Sequence, residues 1–460
     1  MYYYYNAIYL PCHPAAEEAK FSSNSSVFLF TSTIYLWIMD GDLFFISFER
    51  VALMASIKRM AACLAILSIF ISSTSYAETV PAVNEDGWDT FYRLQPADMS
   101  GNPASRLFQW AISANIIEGY PDGTVKPDQP VTEAEFLKML YRGFGIAIPT
   151  QIYPPGYQAT EDWSDAPYRM AKLFNHPALG LSNSKLRTTP ITRQHAAEII
   201  SAAQGVHYTG DKAVAYIVGN RMAIGSPLTT DDFHPNETFT RTEAVQWIRH
   251  LTIRGMMEIK SRPAEPSDTS LLPKLPLAAA EEVSFFSAVP LTASDFDLVG
   301  PSSSPKVEFG APKSAIDQRF LATDELDVFD MNDYGLFAAH FNDDGRLDSW
   351  RVEQVIEDPT EPTTAGPLLG TNKGIVPGDS TLFDIFQQYG TYGYIGNGIV
   401  NYLYERTNDG SYRPLPSISY FSQLENPEEV YLLSFIVDKK TLKVTFILAA
   451  GAPYAYSGGL

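Results

Sequence analysis

Residues 115–132 read NIIEGYPDGTVKPDQPVT, and residues 221–240 read RMAIGSPLTTDDFHPNETFT. In both, an apolar residue (Ile116, Met222) is followed three positions on by a glycine (Gly119, Gly225) and then by a polar turn. A proline then precedes a threonine by five residues, Pro127 before Thr132 and Pro235 before Thr240. A fainter copy lies between them, running from Leu179 and Gly180 to Pro190, Ile191 and Thr192. Recurrence of one pattern at intervals of this kind is the mark of a repeat architecture, and it sets the framework for the whole first half.

An amphipathic helix is expected after each threonine. The fourth, fifth and eighth positions are Phe136, Leu137 and Leu140; Ala196, Ala197 and Ile200; and Ala244, Val245 and Ile248. Apolar residues at that spacing share one helical face. Thr132 with Glu135 and Thr240 with Glu243 have the capping-box spacing, in which the hydroxyl and the carboxylate each satisfy a free backbone N–H at the helix start. The middle copy carries His195 where the glutamate belongs. Shorter helices are expected before each turn, near residues 105–114, 166–174 and 213–220.

Residues 111–146, AISANIIEGYPDGTVKPDQPVTEAEFLKMLYRGFGI, resemble an S-layer homology (SLH) repeat, with its GYPDGT turn and TRAE-like helix start. Residues 239–251, FTRTEAVQWIRHL, resemble it clearly, and residues 191–203, ITRQHAAEIISAA, in degenerate form. The resemblance divides the first half into repeats over 96–150, 151–210 (degenerate) and 211–262. It implies an all-α three-repeat SLH module, pseudo-threefold and helical. It also implies non-covalent attachment of an exported protein to a secondary cell-wall polymer, a pyruvylated glycan or peptidoglycan-linked polysaccharide.

The chemistry of attachment can be argued from the helix starts. Arg193 and Arg241 occupy the first helical position, just after Thr192 and Thr240. A cation there opposes the positive end of the helix dipole, at a cost of a few tenths of a kcal/mol. The repeated conflict makes sense if an anion docks there, because free N–H groups and a guanidinium both favour a carboxylate. In the first copy the equivalent residue is Glu133, which cannot pair with a carboxylate, so that groove is expected to be weak or dead. The family's grooves also use aromatic and glycine surfaces, for which Trp110, Asp122 and Gly123 are the candidates. Core packing is the stronger reading of Trp110, and a plain turn is the stronger reading of Asp122 with Gly123.

The leader agrees with export. Residues 54–77, MASIKRMAACLAILSIFISSTSYA, carry a charged start at Lys58 and Arg59, an apolar core and a small-residue cleavage site. The apolar core is shorter than the roughly 20 residues a membrane span needs, and no spanning run is expected in the mature chain. Residues 1–53 are read as an upstream extension from an over-long gene-model start, and 78–95 as a lead-in. Both cysteines, Cys12 and Cys63, fall before residue 78, which excludes disulfide and thiol chemistry afterwards. With 33 basic against 53 acidic residues, the net charge of −20 repels nucleic acid and anionic membrane surfaces.

The second half has another period. Residues 263–305 are rich in Pro, Ser and Ala and read as a spacer. Residues 306–460 are expected to form a small α+β domain with an antiparallel sheet. A hairpin is expected around the NDDG turn at 342–345, and another around 438–441. A helix precedes the second, with Leu382, Ile385, Phe386 and Tyr389 on one face and Gly390 ending it. FGAPKSAI at 309–316 and DYGLFAAHFNDDGRLDSWRV at 333–352 distantly resemble a CAP-associated domain of bacterial surface proteins. That likeness carries no activity with it.

No catalytic or metal constellation stands out. In EF-hand register the NDDG turn would place His340 and Arg351 at the outermost ligand positions, where oxygen ligands are needed. No HExxH, nucleophile elbow or phosphate loop is present. No cofactor or metal is expected. The expectation is a multidomain, non-catalytic surface protein, secreted to the wall of a bacterium. The alternatives are an SLH-targeted wall hydrolase, for which two well-placed carboxyls would suffice, and a lattice component.

Overall fold

The computed structural model describes residues 37–39, 42–44, 96–120, 122–148, 162–279, 284–301, 305–322, 326–327, 329–354, 369–415, 424 and 426–456. The chain divides into two compact units, Met1–Lys58 and Arg59–Leu460. In the first, β1 (Trp37–Met39) pairs antiparallel with β2 (Asp42–Phe44). The segments read as a signal peptide at 54–77 and a lead-in at 78–95, with most of the stretch read as an extension at 1–53, lie outside the described residues.

Residues 98–260 are mostly helical. A first helix, α1 (Ser105–Ser113), precedes the GYPDGT turn, and α2 (Glu133–Gly143) follows it. α3 (Asp165–Leu173) and α4 (Arg193–Ala203) flank a pair of 3-10 turns, and α5 (Asp211–Gly219) precedes α6 (Arg241–Ile253). The apolar faces read from the sequence meet in one core, where Phe136, Leu137, Ala196, Ala197, Val245 and Ile248 are all buried. Each of α1, α3 and α5 ends in the same way. Asn115, Asn175 and Arg221 turn to positive φ, and the next N–H reaches back to Ala111, Ala171 and Ile217 respectively. This is the left-handed closure that satisfies the last helical carbonyls.

The second half is built on an eight-stranded antiparallel sheet. Its strands are β5 (Asn332–Asp333), β6 (Ala338–Phe341), β7 (Leu347–Glu353), β9 (Tyr394–Gly396), β10 (Ile399–Arg406), β11 (Tyr412–Leu415), β12 (Val430–Val437) and β13 (Val444–Gly451). The order is β11-β10-β12-β13-β7-β6-β5, with β9 on β10. A separate three-stranded sheet joins β4 (Lys306–Val307), β3 (Leu298–Val299) and β8 (Gly370–Thr371). Both expected hairpins are present, β6 with β7 and β12 with β13. α7 (Lys313–Asp317) lies before them in the chain, and α8 (Leu382–Tyr389) is capped by Thr381 and ended by Gly390 at φ +86°. One face of the sheet holds the aromatic core of Tyr389, Tyr402, Tyr404, Trp350 and Phe435. The other face packs on α9 (Ala452–Tyr456).

The expected architecture, an all-α three-repeat pseudo-threefold module followed by a small α+β domain, is corrected in two respects. The sheet is large, because β10 with β9 and β11 extends it beyond the strands that the two hairpins announced. The helical half is not an all-α module standing apart. Its turns are tied by isolated β-bridges, and its helix ends are built into the sheet half within one compact unit. Trp110 donates its indole N–H to the Ile395 carbonyl at 2.8 Å. Arg249, fully buried in α6, donates to the carbonyls of Phe285, Thr391 and Tyr394. Trp110 and Phe286 flank its guanidinium. The stretch read as a spacer over 263–305 also departs from that reading, since Leu291, Phe296 and Leu298 are buried in the sheet core.

Candidate functional site at three helix starts

α2, α4 and α6 begin in the same manner. The hydroxyls of Thr132, Thr192 and Thr240 accept from the backbone N–H three residues on, at 3.3, 3.2 and 3.2 Å. Glu135 and Glu243 return the bond to the threonine N–H, completing two capping boxes. His195, in the third position of α4, has no carboxylate to return.

The three starts are linked to one another. Thr132 bridges to Pro190, Thr192 to Thr238, and Thr240 to Pro130. The N–H of Glu133 donates to Thr189 O, that of Arg193 to Glu237 O, and that of Arg241 to Gln129 O, at 3.2, 2.8 and 2.9 Å. Each acceptor lies three residues ahead of the next capping threonine. The side chains repeat the pattern. Glu133 meets His195 at 2.6 Å, Arg193 meets Glu243 at 2.5 Å, and Arg241 meets Glu135 at 3.1 Å. The first residue of each helix thus pairs with the third residue of the next, and the third link closes the ring.

Two apparent irregularities of the sequence are therefore one feature. Glu133 stands where the other copies have arginine, and His195 where they have glutamate. They are partners, and the link keeps its opposite charges with the acid and base exchanged. Burial alone would lower the His195 pKa, but hydrogen bonds to Glu133 and Glu198 outweigh it and raise the value to about 9. Burial would likewise raise the Glu133 pKa. Donation from His195, Tyr168, Gly180 and Leu179 instead holds it below the usual carboxylate range.

The ring changes the reading of the arginines. The first-position N–H groups that an anion would use are already donating to neighbouring carbonyls. So are those of Gln194, to Pro235 O, and Thr242, to Pro127 O. Arg241 is 4% exposed and donates to Val125 O, Glu135 and Glu118 O, with its guanidinium over the Tyr120 ring. Arg193 is half-buried and donates to Phe233 O and Glu243. Both are engaged within the fold, and the free donors expected beside them are taken.

The structure separates the remaining candidates. Trp110 is buried in the seam with the sheet, remote in role from any groove. Asp122 and Gly123 sit in the exposed turn after α1, where Gly123 takes φ +78°. Asp122 accepts from the N–H and hydroxyl of Thr124, which lowers its pKa, and pairs with Lys126 at 3.3 Å. Lys126 also lies over the Tyr120 ring, 4.0 Å from its centroid, and the Tyr120 hydroxyl donates to Glu135. Asp98 fixes the turn from behind by accepting the N–H groups of Val125 and Lys126. Lys126 and Tyr120 were not singled out from the sequence, although the capping glutamate and the turn aspartate that hold them were plain there. Among the described residues, no group of three His, Cys, Asp or Glu side chains is placed to hold a metal ion. No helix among them is long and apolar enough to cross a membrane.

Comparison with known families identifies one match, to the S-layer homology domain over residues 98–137. That span contains Asp98, α1, the exposed turn, Thr132 and Glu135. It includes Trp110, Asp122 and Gly123 among the candidates, and neither Arg193 nor Arg241. No curated protein matches the chain.

Proposed function

We propose that this is a non-catalytic surface protein, exported and held non-covalently to a polymer of a bacterial cell wall through its helical half. The observation that carries the reading is the S-layer homology match at 98–137, a domain associated with wall attachment. The ring of helix starts and the seam with the sheet lie at opposite ends of α6. The 13 residues of that helix span about 20 Å at roughly 1.5 Å each. A polymer at the ring end would leave the sheet half directed away from it.

Within that reading, the polymer contacts the exposed turn of Tyr120, Asp122, Gly123 and Lys126. Lys126 supplies the accessible cation for an acidic group such as a pyruvate ketal, while Arg241 and Thr240 hold the turn in place, as Arg193 and Thr192 do for the next one. The acidic chain as a whole makes a local cation necessary for any anionic ligand. The test is binding to purified wall sacculi by the full secreted chain carrying Lys126→Glu or Asp122→Ala. Lys126→Glu is expected to weaken binding at least tenfold with its unfolding midpoint unchanged. Undiminished binding by the folded variant removes this turn from the account.

A further inference from the structure

Glu133 is 1% exposed, and its carboxylate collects four donors from three other segments. Oε1 accepts from Leu179 N at 2.7 Å and faces His195 Nε2 at 2.6 Å. Oε2 accepts from Gly180 N at 2.7 Å and from the Tyr168 hydroxyl at 2.5 Å. Two successive backbone N–H groups, each meeting one oxygen of the same carboxylate, form an anion cradle. A phenol and an imidazolium complete it, and charge-assisted bonds of this length are the strong ones. The imidazole is itself oriented, since His195 Nδ1 faces Glu198, which accepts from Gly210 N.

None of this is required to begin α2, whose start is already satisfied by Thr132 and Glu135. Nor does it recur at the other two starts, where the arginines meet carbonyl and carboxylate oxygens. We propose that Leu179, Gly180, Tyr168 and His195 form a receptor for a small carboxylate, which the chain fills with its own Glu133. The position between α2 and the turn after α3 is thereby closed to any acid from outside. This goes beyond wall attachment and does not depend on it.

The test uses the full secreted chain with Glu133→Ala, which empties the cradle and leaves its donors. Sodium formate or acetate is titrated in at constant ionic strength while the thermal midpoint is followed. The midpoint is expected to rise saturably towards that of the unaltered chain, since a ligand of the folded state alone stabilises by mass action. The unaltered chain, the Glu133→Ala/His195→Ala double variant and titration with neutral acetamide are expected to give no such rise. A Glu133→Ala protein that responds to formate no more than the unaltered chain overturns the proposal. Glu133→Gln keeps the side-chain shape and covers the case in which the alanine variant does not fold. There the His195 titration, followed by NMR, is expected to fall by about one pH unit or more. A Glu133→Gln chain with an unchanged His195 titration and unchanged midpoint equally overturns it.

Discussion

The Glu133 carboxylate lies 2.6 Å from His195 Nε2, joining the first residue of α2 to the third residue of α4 across 62 positions of sequence. The two other links of the ring run the opposite way in charge, arginine first and glutamate third. Because the acid and base exchange places together, the ring is preserved where the sequence pattern looks broken. Breaking a buried pair by removing one partner strands the other, which costs about 3–5 kcal/mol in well-buried cases.

A double-mutant cycle reads this pairing. Glu133→Gln and His195→Gln are each expected to destabilise the chain by about 2–4 kcal/mol in urea unfolding. The double variant is expected to fall short of their sum by about 1–3 kcal/mol, the coupling found for residues in one network. Additive losses would separate the two residues energetically.

The pH dependence has a definite sign. The folded His195 pKa is raised to about 9, so the link's contribution is complete below the unfolded value of about 6.5 and disappears as pH rises through 9. The folded Glu133 and Glu198 pKa values are depressed. Their contributions are complete above about pH 4.5 and are lost as pH falls. Stability is therefore expected to be highest near pH 5–6.5 and to decline by about 3 kcal/mol between pH 6.5 and 9.5. His195→Gln should flatten the alkaline decline. An alkaline limb identical in that variant would place its cause elsewhere.

Arg249 is expected to control the union of the two halves. Its guanidinium is 0% exposed, and Arg249→Met would take a donor from the carbonyls of Phe285, Thr391 and Tyr394, of which Thr391 keeps the Tyr394 N–H. Orphaned buried acceptors cost about 1–3 kcal/mol each when no water replaces the donor. A loss of about 3–5 kcal/mol is expected, with the single calorimetric transition splitting into two. Arg249→Lys should not restore it, because an ammonium cannot span three carbonyls as the guanidinium fork does. One unsplit transition in Arg249→Met would mean that the seam holds without it.

What was legible in the sequence was local. Capping threonines, apolar faces at helical spacing and hairpin turns act within a few residues, and Thr132, Phe136 and the NDDG turn read correctly. The Glu133 and His195 departures were visible as well, but their pairing depends on how the helices assemble, which spacing does not reveal. Core packing is the stronger reading of Trp110 in sequence, but its partner, the Ile395 carbonyl of the sheet half, is not legible there. The large sheet was missed for a related reason. Residues 399–406, IVNYLYER, are buried on both faces for most of their length. Such a strand loses the alternation that identifies one half exposed to water.

The central claim is wall attachment, and the most direct measurement is co-sedimentation of the full chain with purified wall sacculi, before and after chemical extraction of their secondary polymer. The chain is expected to pellet with intact sacculi and to remain in solution once the polymer is removed. A folded chain that stays in solution with both preparations, or pellets equally with both, would contradict attachment through that polymer.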